Sequence, residues 1–338
     1  MVSILETIAV VATWNVAASS AYYVRGAEYY LGEREPDGVW YAPSGDLGQR
    51  DATAVQPKEF ARLYEGLGEN GQSLITNAGG KADQRVPAFD LTFSAPRSMS
   101  LAWAFADEDL RRNLETAQAR AVRSTLATIK KEAIFARRGR DGMRVERVPL
   151  TAAMFQHGES RPAEHADGRI FGDPNLHTHA VVLNLATRAD GTVGALHSTV
   201  LRDWKMTAGA VYHAALAKEM TDLGFDIDRV GKNGTFELAG ISDKITYFSA
   251  RRHEIEKELA EAGTTSASSA ALASTVARST RHAKEWDADR ATVWREAAQS
   301  AGLESDIRAA IQQRSGKEFV TGHAERVFAE RWRHCRQN

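Results

Sequence analysis

The chain has a single cysteine, Cys335, close to its C-terminal end. One thiol can form no internal disulfide and cannot build a cysteine-based metal cluster, and its scarcity suits a reducing compartment. Excess charge is missing too: 43 basic residues against 44 acidic ones leave a formal net charge of −1. That balance excludes binding of a polyanion by bulk charge, so any nucleic-acid contact must come from a local concentration of Lys and Arg. No stretch approaches the roughly 18 to 20 apolar residues of a membrane span. The short apolar run Ile8-Ala9-Val10-Val11-Ala12 has no Lys or Arg before it, the first being Arg25. The positive leader of a signal peptide is therefore absent, and a buried strand over residues 4–12 is the expectation. The chain is expected in the cytoplasm, without membrane insertion. An internal repeat and a Gly-x-x-x-x-Gly-Lys-Ser/Thr loop are also absent, so no ATPase is expected in this chain.

What is present reads as an α+β fold, helices packed on a mainly antiparallel sheet. Asn15 to Ser20 lead into a helix carrying Tyr22, Tyr23, Tyr29 and Tyr30, and residues 32–52, rich in Gly, Pro and Asp, read as an exposed loop. A short helix is predicted near 57–66 and a strand over Ala88 to Phe93. Ser94-Ala95-Pro96 then offers a capping hydroxyl and a first-turn proline for a helix running to about Ala136, broken near Asp107. Val145 to Phe155 and Leu176 to Ala186 are apolar runs flanking a polar loop and are expected to pair antiparallel. Ala189-Asp190-Gly191 reads as a hairpin turn into a strand at 192–197, and a long helix is predicted over 200–223. A second hairpin joins Phe225–Ile227 to Thr235–Leu238, and from Asp243 onward the pattern is helical and charged, broken by the Ser/Thr/Ala-rich stretch 264–280. The division expected is a catalytic core over 1–242 and a C-terminal helical layer over 243–338.

The segment Asp173-Pro174-Asn175-Leu176-His177-Thr178-His179-Ala180-Val181-Val182-Leu183-Asn184 carries the strongest chemical signal. Residues two apart on a strand point to the same face, so His177 and His179 project together. A third imidazole from the partner strand would complete a facial set; His157 stands where that strand should end, and His165 lies in the loop between. Three neutral imidazoles leave coordination positions open, which suits a catalytic metal better than a structural one. The plain alternative is a pair of half-buried histidines bonded to backbone carbonyls. His197, His213, His253, His282, His323 and His334 lack such spacing and read as surface or helix-packing residues.

Tyr22-Tyr23 and Tyr29-Tyr30 repeat at a spacing of seven, two helical turns apart on one face. Such a stripe is more often core than chemistry, and a phenol with a pKa near 10 needs a metal or a carboxylate to attack at neutral pH. Asp90 is an acid inside the apolar strand Phe89-Asp90-Leu91-Thr92-Phe93. It can support the outward N–H of a metal-bound histidine, or cap the turn before Pro96.

Taken together and in order, Ala21-Tyr22-Tyr23…Tyr29-Tyr30, Asp90-Leu91-Thr92-Phe93-Ser94-Ala95-Pro96-Arg97-Ser98 and the histidine segment closely resemble the TraI/TrwC type of conjugative relaxase. The resemblance is strong from Tyr22 to Asn184 and looser to about residue 290. It implies a five-stranded antiparallel palm covered by C-terminal helices, and metal-dependent nicking of one strand at a plasmid transfer origin through a 5′-phosphotyrosine. It implies Tyr22 as nucleophile, with Tyr23 beside it, and a tyrosine from the pair Tyr29 and Tyr30 for a second strand transfer. His157, His177 and His179 become ligands of a divalent ion (Mg, Mn or Zn), and Asp90 the acid behind a histidine that can take the tyrosine proton. The implied partners are single-stranded or hairpin origin DNA, with accessory relaxosome proteins and a coupling protein. Gly158-Glu159-Ser160-Arg161 resembles the family's segment after its ligand and favours His157 over His165, although the loop to His177 is longer than the family's. Many relatives continue into a helicase.

For DNA, Arg137, Arg138, Arg140, Arg144 and Arg147 form a local basic run, and Arg111, Arg112, Arg120, Arg123, Lys130 and Lys131 line the helix before it. The helix start at Arg97 is a further candidate phosphate site. Two other functions fit the same residues: a metal-dependent phosphodiesterase or nuclease with no covalent intermediate, and a DNA-binding protein with a degenerate site.

Overall fold

A computed structural model of the chain describes residues 13–16, 37–75, 85–138, 144–230, 234–241, 246–261 and 289–313. Its first half contains β1 (Thr13–Val16), β2 (Val39–Tyr41), α1 (Pro57–Tyr64), β3 (Ala88–Ser94), α2 (Arg97–Phe105), α3 (Glu108–Glu132), β4 (Phe135–Arg138), β5 (Arg144–Arg147) and β6 (Ala152–Glu159). There follow β7 (Ala163–Glu164), β8 (Ile170–Phe171), β9 (Pro174–Leu183), β10 (Ala186–Thr187), β11 (Val193–Gly194), α4 (Ser198–Asp203) and α5 (Lys205–Asp222). The last elements are β12 (Ile227–Arg229), β13 (Phe236–Leu238), α6 (Ala250–Glu261), α7 (Arg290–Ser300) and α8 (Glu304–Gln312).

Five of the strands form one antiparallel sheet in the order β1-β3-β9-β6-β2. Alternation along its strands sends side chains to two different cores. Leu91 and Phe93 of β3, Ala152 and Met154 of β6, and Leu176, Ala180 and Val182 of β9 face the large core under α2, α3 and α5. Ala88, Ala153, Phe155, Val181 and Leu183, one residue out of phase, face a smaller core closed by Phe60, Leu63 and Tyr64 of α1. The spacing of those three residues puts them on one stripe of α1, and Pro57 starts that helix where a missing N–H costs nothing. Among the described residues, α1 covers one end of this second face. The other end carries polar residues and forms the site described below.

The expected α+β sheet is present, with several local differences. Val39–Tyr41, read as exposed loop, are a buried edge strand paired with β6. Three residues are too few to show a period against Gly- and Asp-rich flanks. The run 145–155 is two strands: Pro149 separates β5, which pairs with β4, from β6 in the sheet. The helix expected to reach Ala136 stops at Glu132, because Phe135–Arg138 form β4. The break near Asp107 is real, and the Asp107 carboxylate accepts from Leu110 N–H at 2.8 Å as the cap of α3. Residues 4–12, the tyrosine helix and the stretch 264–280 lie outside the described residues. Trp294, Ala297, Ala298, Ile307 and Ile311 of the last two helices are buried in the same large core as the sheet.

Candidate metal centre

The end of the second sheet face beyond α1 is built from three adjacent strands. In β9, His177 and His179 alternate with the fully covered Leu176, Thr178 and Ala180, so both imidazoles leave the large core. His157 of β6 sits opposite His177, and Thr92 and Ser94 of β3 sit opposite His179 and His177. Facing residues in an antiparallel ladder share a side of the sheet, which brings the three imidazoles together. Their ring centroids form a nearly equilateral triangle, 5.2 Å for His157–His177, 5.0 Å for His157–His179 and 5.1 Å for His177–His179. One nitrogen of each lies within 4.8 Å of the other two.

The other nitrogens are held from outside. His179 Nδ1 lies 2.9 and 3.0 Å from the Asp90 carboxylate oxygens and 3.2 Å from Thr92 Oγ1. His177 Nδ1 donates to the Asn175 carbonyl at 2.8 Å. With Nδ1 carrying the proton in both, Nε2 keeps its lone pair for a cation, the arrangement expected around a metal-ligating histidine. Burial, then the neighbouring His177 and His179, hold His157 well below the usual imidazole range, and burial followed by His179 brings His177 down to about 3. Both rings are therefore neutral near pH 7, the form that ligates. A set of three neutral nitrogen donors, two with fixed tautomers, fits a divalent ion of borderline hardness.

The strands behind the cluster are locked by a buried polar chain. Gln118 of α3 donates to the Phe93 carbonyl at 3.0 Å and to Thr178 Oγ1 at 3.3 Å, and accepts from Tyr212 OH at 2.7 Å. Beyond His157 the ladder shifts register before Glu159. Gly158 at that bulge lies against the Trp103 indole, and a Cβ there would come within 2.3 Å of it.

Residues 16–302 match the family model described as TrwC relaxase. The chain belongs to the TrwC relaxase family. It is 31% identical over 253 residues to the multifunctional conjugation protein TraI of Escherichia coli, and 30% identical over 254 residues to TraI of strain K12. Each alignment covers 71% of this chain and 13% of the relative, so the chain spans about an eighth of those proteins' length. Among solved structures, the metal-free complex of conjugative relaxase TrwC with oriT DNA aligns with a TM-score of 0.69 at 31% identity. The metal-bound complex aligns at 0.70 and 29%, and TrwC with a 27-mer comprising the recognition hairpin and the cleavage site at 0.69 and 30%. All three cover 86% of this chain and 99% of the TrwC chain.

In this member of the TrwC relaxase family the fold brings His157, and not His165, to His177 and His179. His165 stacks on Phe171 at 3.6 Å and faces the buried Asp173 carboxylate at 3.5 Å. Asp90 backs a histidine instead of capping the turn before Pro96. Tyr22, Tyr23, Tyr29 and Tyr30 lie outside the described residues. The phosphate site expected at the start of α2 is filled from within: the Glu237 carboxylate accepts from Ser98 N–H at 2.9 Å, and Arg97 donates to the Pro174 carbonyl at 3.0 Å. Ser94 caps nothing there and belongs to β3.

The basic face expected on α3 is largely engaged within the protein. Arg112 pairs with Glu108 and Asp109, Arg120 with Glu219 and Arg123 with Asp51, while Arg111 lies over Trp103. The β4–β5 hairpin keeps exposed arginines but divides them. Arg138 and Arg144 face one another on one side, whereas Arg137 and Arg147 share the other side with Phe135 and Val145. Sequence reasoning missed Thr92 and Asn175, although each stands two residues from a named site residue on the same strand face, the signal that located the histidines.

Proposed function

We propose that the chain is the nicking and strand-transfer unit of a conjugative relaxase, acting on single-stranded or hairpin DNA at a plasmid transfer origin in the cytoplasm. The observation that carries this reading is the His157–His177–His179 triangle backed by Asp90, in a chain of the TrwC relaxase family. The Nε2 lone pairs of His177 and His179, with one ring nitrogen of His157, would hold a divalent ion. When bound, that ion supplies Lewis-acid polarisation of the scissile phosphate and offsets the charge that grows on it in the transition state.

The chain's own residues do the rest. The Tyr22 hydroxyl attacks phosphorus, the Oη–P bond forms as the P–O3′ bond breaks, and the proton lost by the phenol is matched by one gained on the departing 3′ oxygen. The Asp90 carboxylate fixes the His179 tautomer and is the local base able to accept the phenol proton. Tyr23 stands beside the nucleophile, and Tyr29 or Tyr30 serves a second transfer. One phosphoester replaces another, so the step is close to balanced and the same residues can rejoin ends without ATP. The core is taken to span 1–242, with the helices of 243–338 covering the DNA cleft; accessory relaxosome proteins and a coupling protein are the further partners. Among the described residues no helix is long and apolar enough to cross a membrane.

The test is incubation with single-stranded oligonucleotides tiling the transfer origin of the chain's own replicon, followed by a denaturing gel. A protein–DNA adduct on one tile is expected. Cleavage with no adduct would instead support a hydrolytic phosphodiesterase, and binding with no cleavage a degenerate site.

A further inference from the structure

The half-exposed side of β9 carries another polar residue in line with its two histidines. Asn175, His177 and His179 alternate with Pro174, Leu176 and Thr178, all buried. At Asn175 the ladder with β6 is bulged. His157 faces His177 and Glu159 faces Pro174, so Asn175 and Leu176 together stand opposite Gly158 alone. A bulge beside a site re-aims a side chain. Here the backbone around it is clamped. Arg97 donates to the Pro174 carbonyl at 3.0 Å, Leu176 N–H donates to Ser100 Oγ at 3.0 Å, and the Leu176 carbonyl accepts from Ala95 N–H at 2.9 Å. Gly158 across the ladder lies against Trp103, which is itself pinned by donating from Nε1 to Glu115 Oε1 at 3.0 Å. The Asn175 side chain is therefore presented from a fixed backbone.

The hydrogen bonding of His177 leaves that side chain with a donor to spare. His177 Nδ1 lies 2.8 Å from the Asn175 carbonyl oxygen and 3.2 Å from Asn175 Nδ2. A carbonyl can only accept, so the shorter contact puts the proton on Nδ1, and a protonated Nδ1 takes nothing from an amide N–H. With the carboxamide turned over, Oδ1 would share the Nδ1 proton and Nδ2 would still have no acceptor in the ring. The carboxamide makes no other hydrogen bond among the described residues. Thr92, beside His179, is different: its hydroxyl is engaged between Asp90 Oδ1 at 3.3 Å and His179 Nδ1 at 3.2 Å.

We propose that Asn175 is a further catalytic residue of the strand transfer, its Nδ2 donating to a non-bridging oxygen of the scissile phosphate. This deepens the relaxase reading and rests on it for the presence of that phosphate. A phosphate has two such oxygens, so one faces the imidazole triangle while the other takes the amide N–H. A neutral donor on a fixed backbone stabilises the charge that grows on the phosphate in the transition state. It does so without setting a second positive charge beside a site suited to a cation.

The experiment compares wild type with Asn175→Ala, which removes the carboxamide, and Asn175→Asp, which keeps its shape but offers no donor. All readouts are taken on the full chain. Calorimetric titration of zinc or nickel alone should leave Asn175→Ala within about twofold of wild type and Asn175→Asp no weaker. The backbone carbonyl that holds the His177 tautomer survives both changes. At saturating metal, single-turnover adduct formation on the origin tile that wild type attacks should fall roughly 100-fold in Asn175→Ala, the lower end for loss of one preorganised donor. It should fall further in Asn175→Asp. For binding without metal, that tile is remade with a neutral methylphosphonate at the cleaved position. Wild type should bind the remade tile more weakly than the original, and Asn175→Ala should lose less. Asn175→Asp should reverse the order, since its carboxylate then meets a neutral group. A metal affinity lowered in step with the adduct rate in Asn175→Ala would overturn the proposal and leave Asn175 as a support of His177. A wild-type adduct rate in Asn175→Ala, or the wild-type methylphosphonate penalty in Asn175→Asp, would overturn it as well. Absence of any adduct with wild type would instead count against the relaxase reading itself.

Discussion

Asp90 offers the sharpest test of how the histidine triangle is tuned. Its carboxylate reaches His179 Nδ1 at 2.9 and 3.0 Å, is itself buried, and has Thr92 Oγ1 3.3 Å away. Replacing Asp90 by Asn keeps an acceptor oxygen for the Nδ1 proton but removes the charge, which roughly halves the strength of such a hydrogen bond. Loss of an outer partner of this kind typically costs about 10- to 100-fold in metal affinity, or about 1.4 to 2.7 kcal/mol. Asp90→Asn should therefore fall near the lower figure. Asp90→Ala should approach the higher one, softened because Thr92 Oγ1 at 3.2 Å can still accept from the ring. Calorimetric titration of zinc or nickel into each variant at one pH reads the difference directly. Wild-type affinity in Asp90→Asn, or a larger loss in Asn than in Ala, would refute the view that the carboxylate charge is what tunes His179.

Other perturbations follow from the same geometry. His157→Ala, His177→Ala and His179→Ala should each remove most bound metal and most cleavage, whereas His165→Ala should leave metal content unchanged and lower the thermal midpoint; equal metal loss would move the centre. Tyr22→Phe should abolish the covalent adduct while leaving the oligonucleotide dissociation constant within about twofold, a change of about 0.4 kcal/mol; peptide mapping that finds a first-cut adduct on Tyr29 or Tyr30 would reassign the nucleophile. Gly158→Ala should cost roughly 1–3 kcal/mol by overpacking against the pinned Trp103, read as a lower denaturation midpoint; an unchanged midpoint would show that Trp103 can yield. On the β4–β5 hairpin, the double change of Arg137 and Arg147 to Gln should flatten the salt slope of binding by roughly 1.4, at 0.7 per phosphate contact. Arg138→Gln should do less, because Arg138 is already held by Asp190 at 2.7 Å.

Most of the site's scaffold was legible because it is written at the shortest period a chain can have. His177 and His179 two apart, Asp90 within alternating apolar residues, and His157 at the end of an apolar run each follow from strand alternation alone. Choosing between His157 and His165 took more, because a loop residue carries no facing rule; only the register His157↔His177 decides it. What stayed hidden depends on partners distant in sequence. Glu237 fills the start of α2 from 139 residues away, and nothing near Arg97 announces it. The arginines of α3 read as a solvated basic face, yet Asp51 and Glu219 engage Arg123 and Arg120 from elsewhere in the fold. Val39–Tyr41 were missed for want of length, since three residues cannot display a period.

The two strands that carry the imidazoles both lie in the interior of the five-stranded order, each with a neighbour on either side. Their amides belong to the part of a structure that opens last, with Gln118 tying Phe93 and Thr178 together behind them. The distances between the rings are therefore kept by the sheet and not by the ion. Such a site is filled and emptied by side-chain motion, with no unfolding step. A chelator should strip the metal quickly and reversibly, while hydrogen exchange at residues 177–179 stays as slow without the ion as with it.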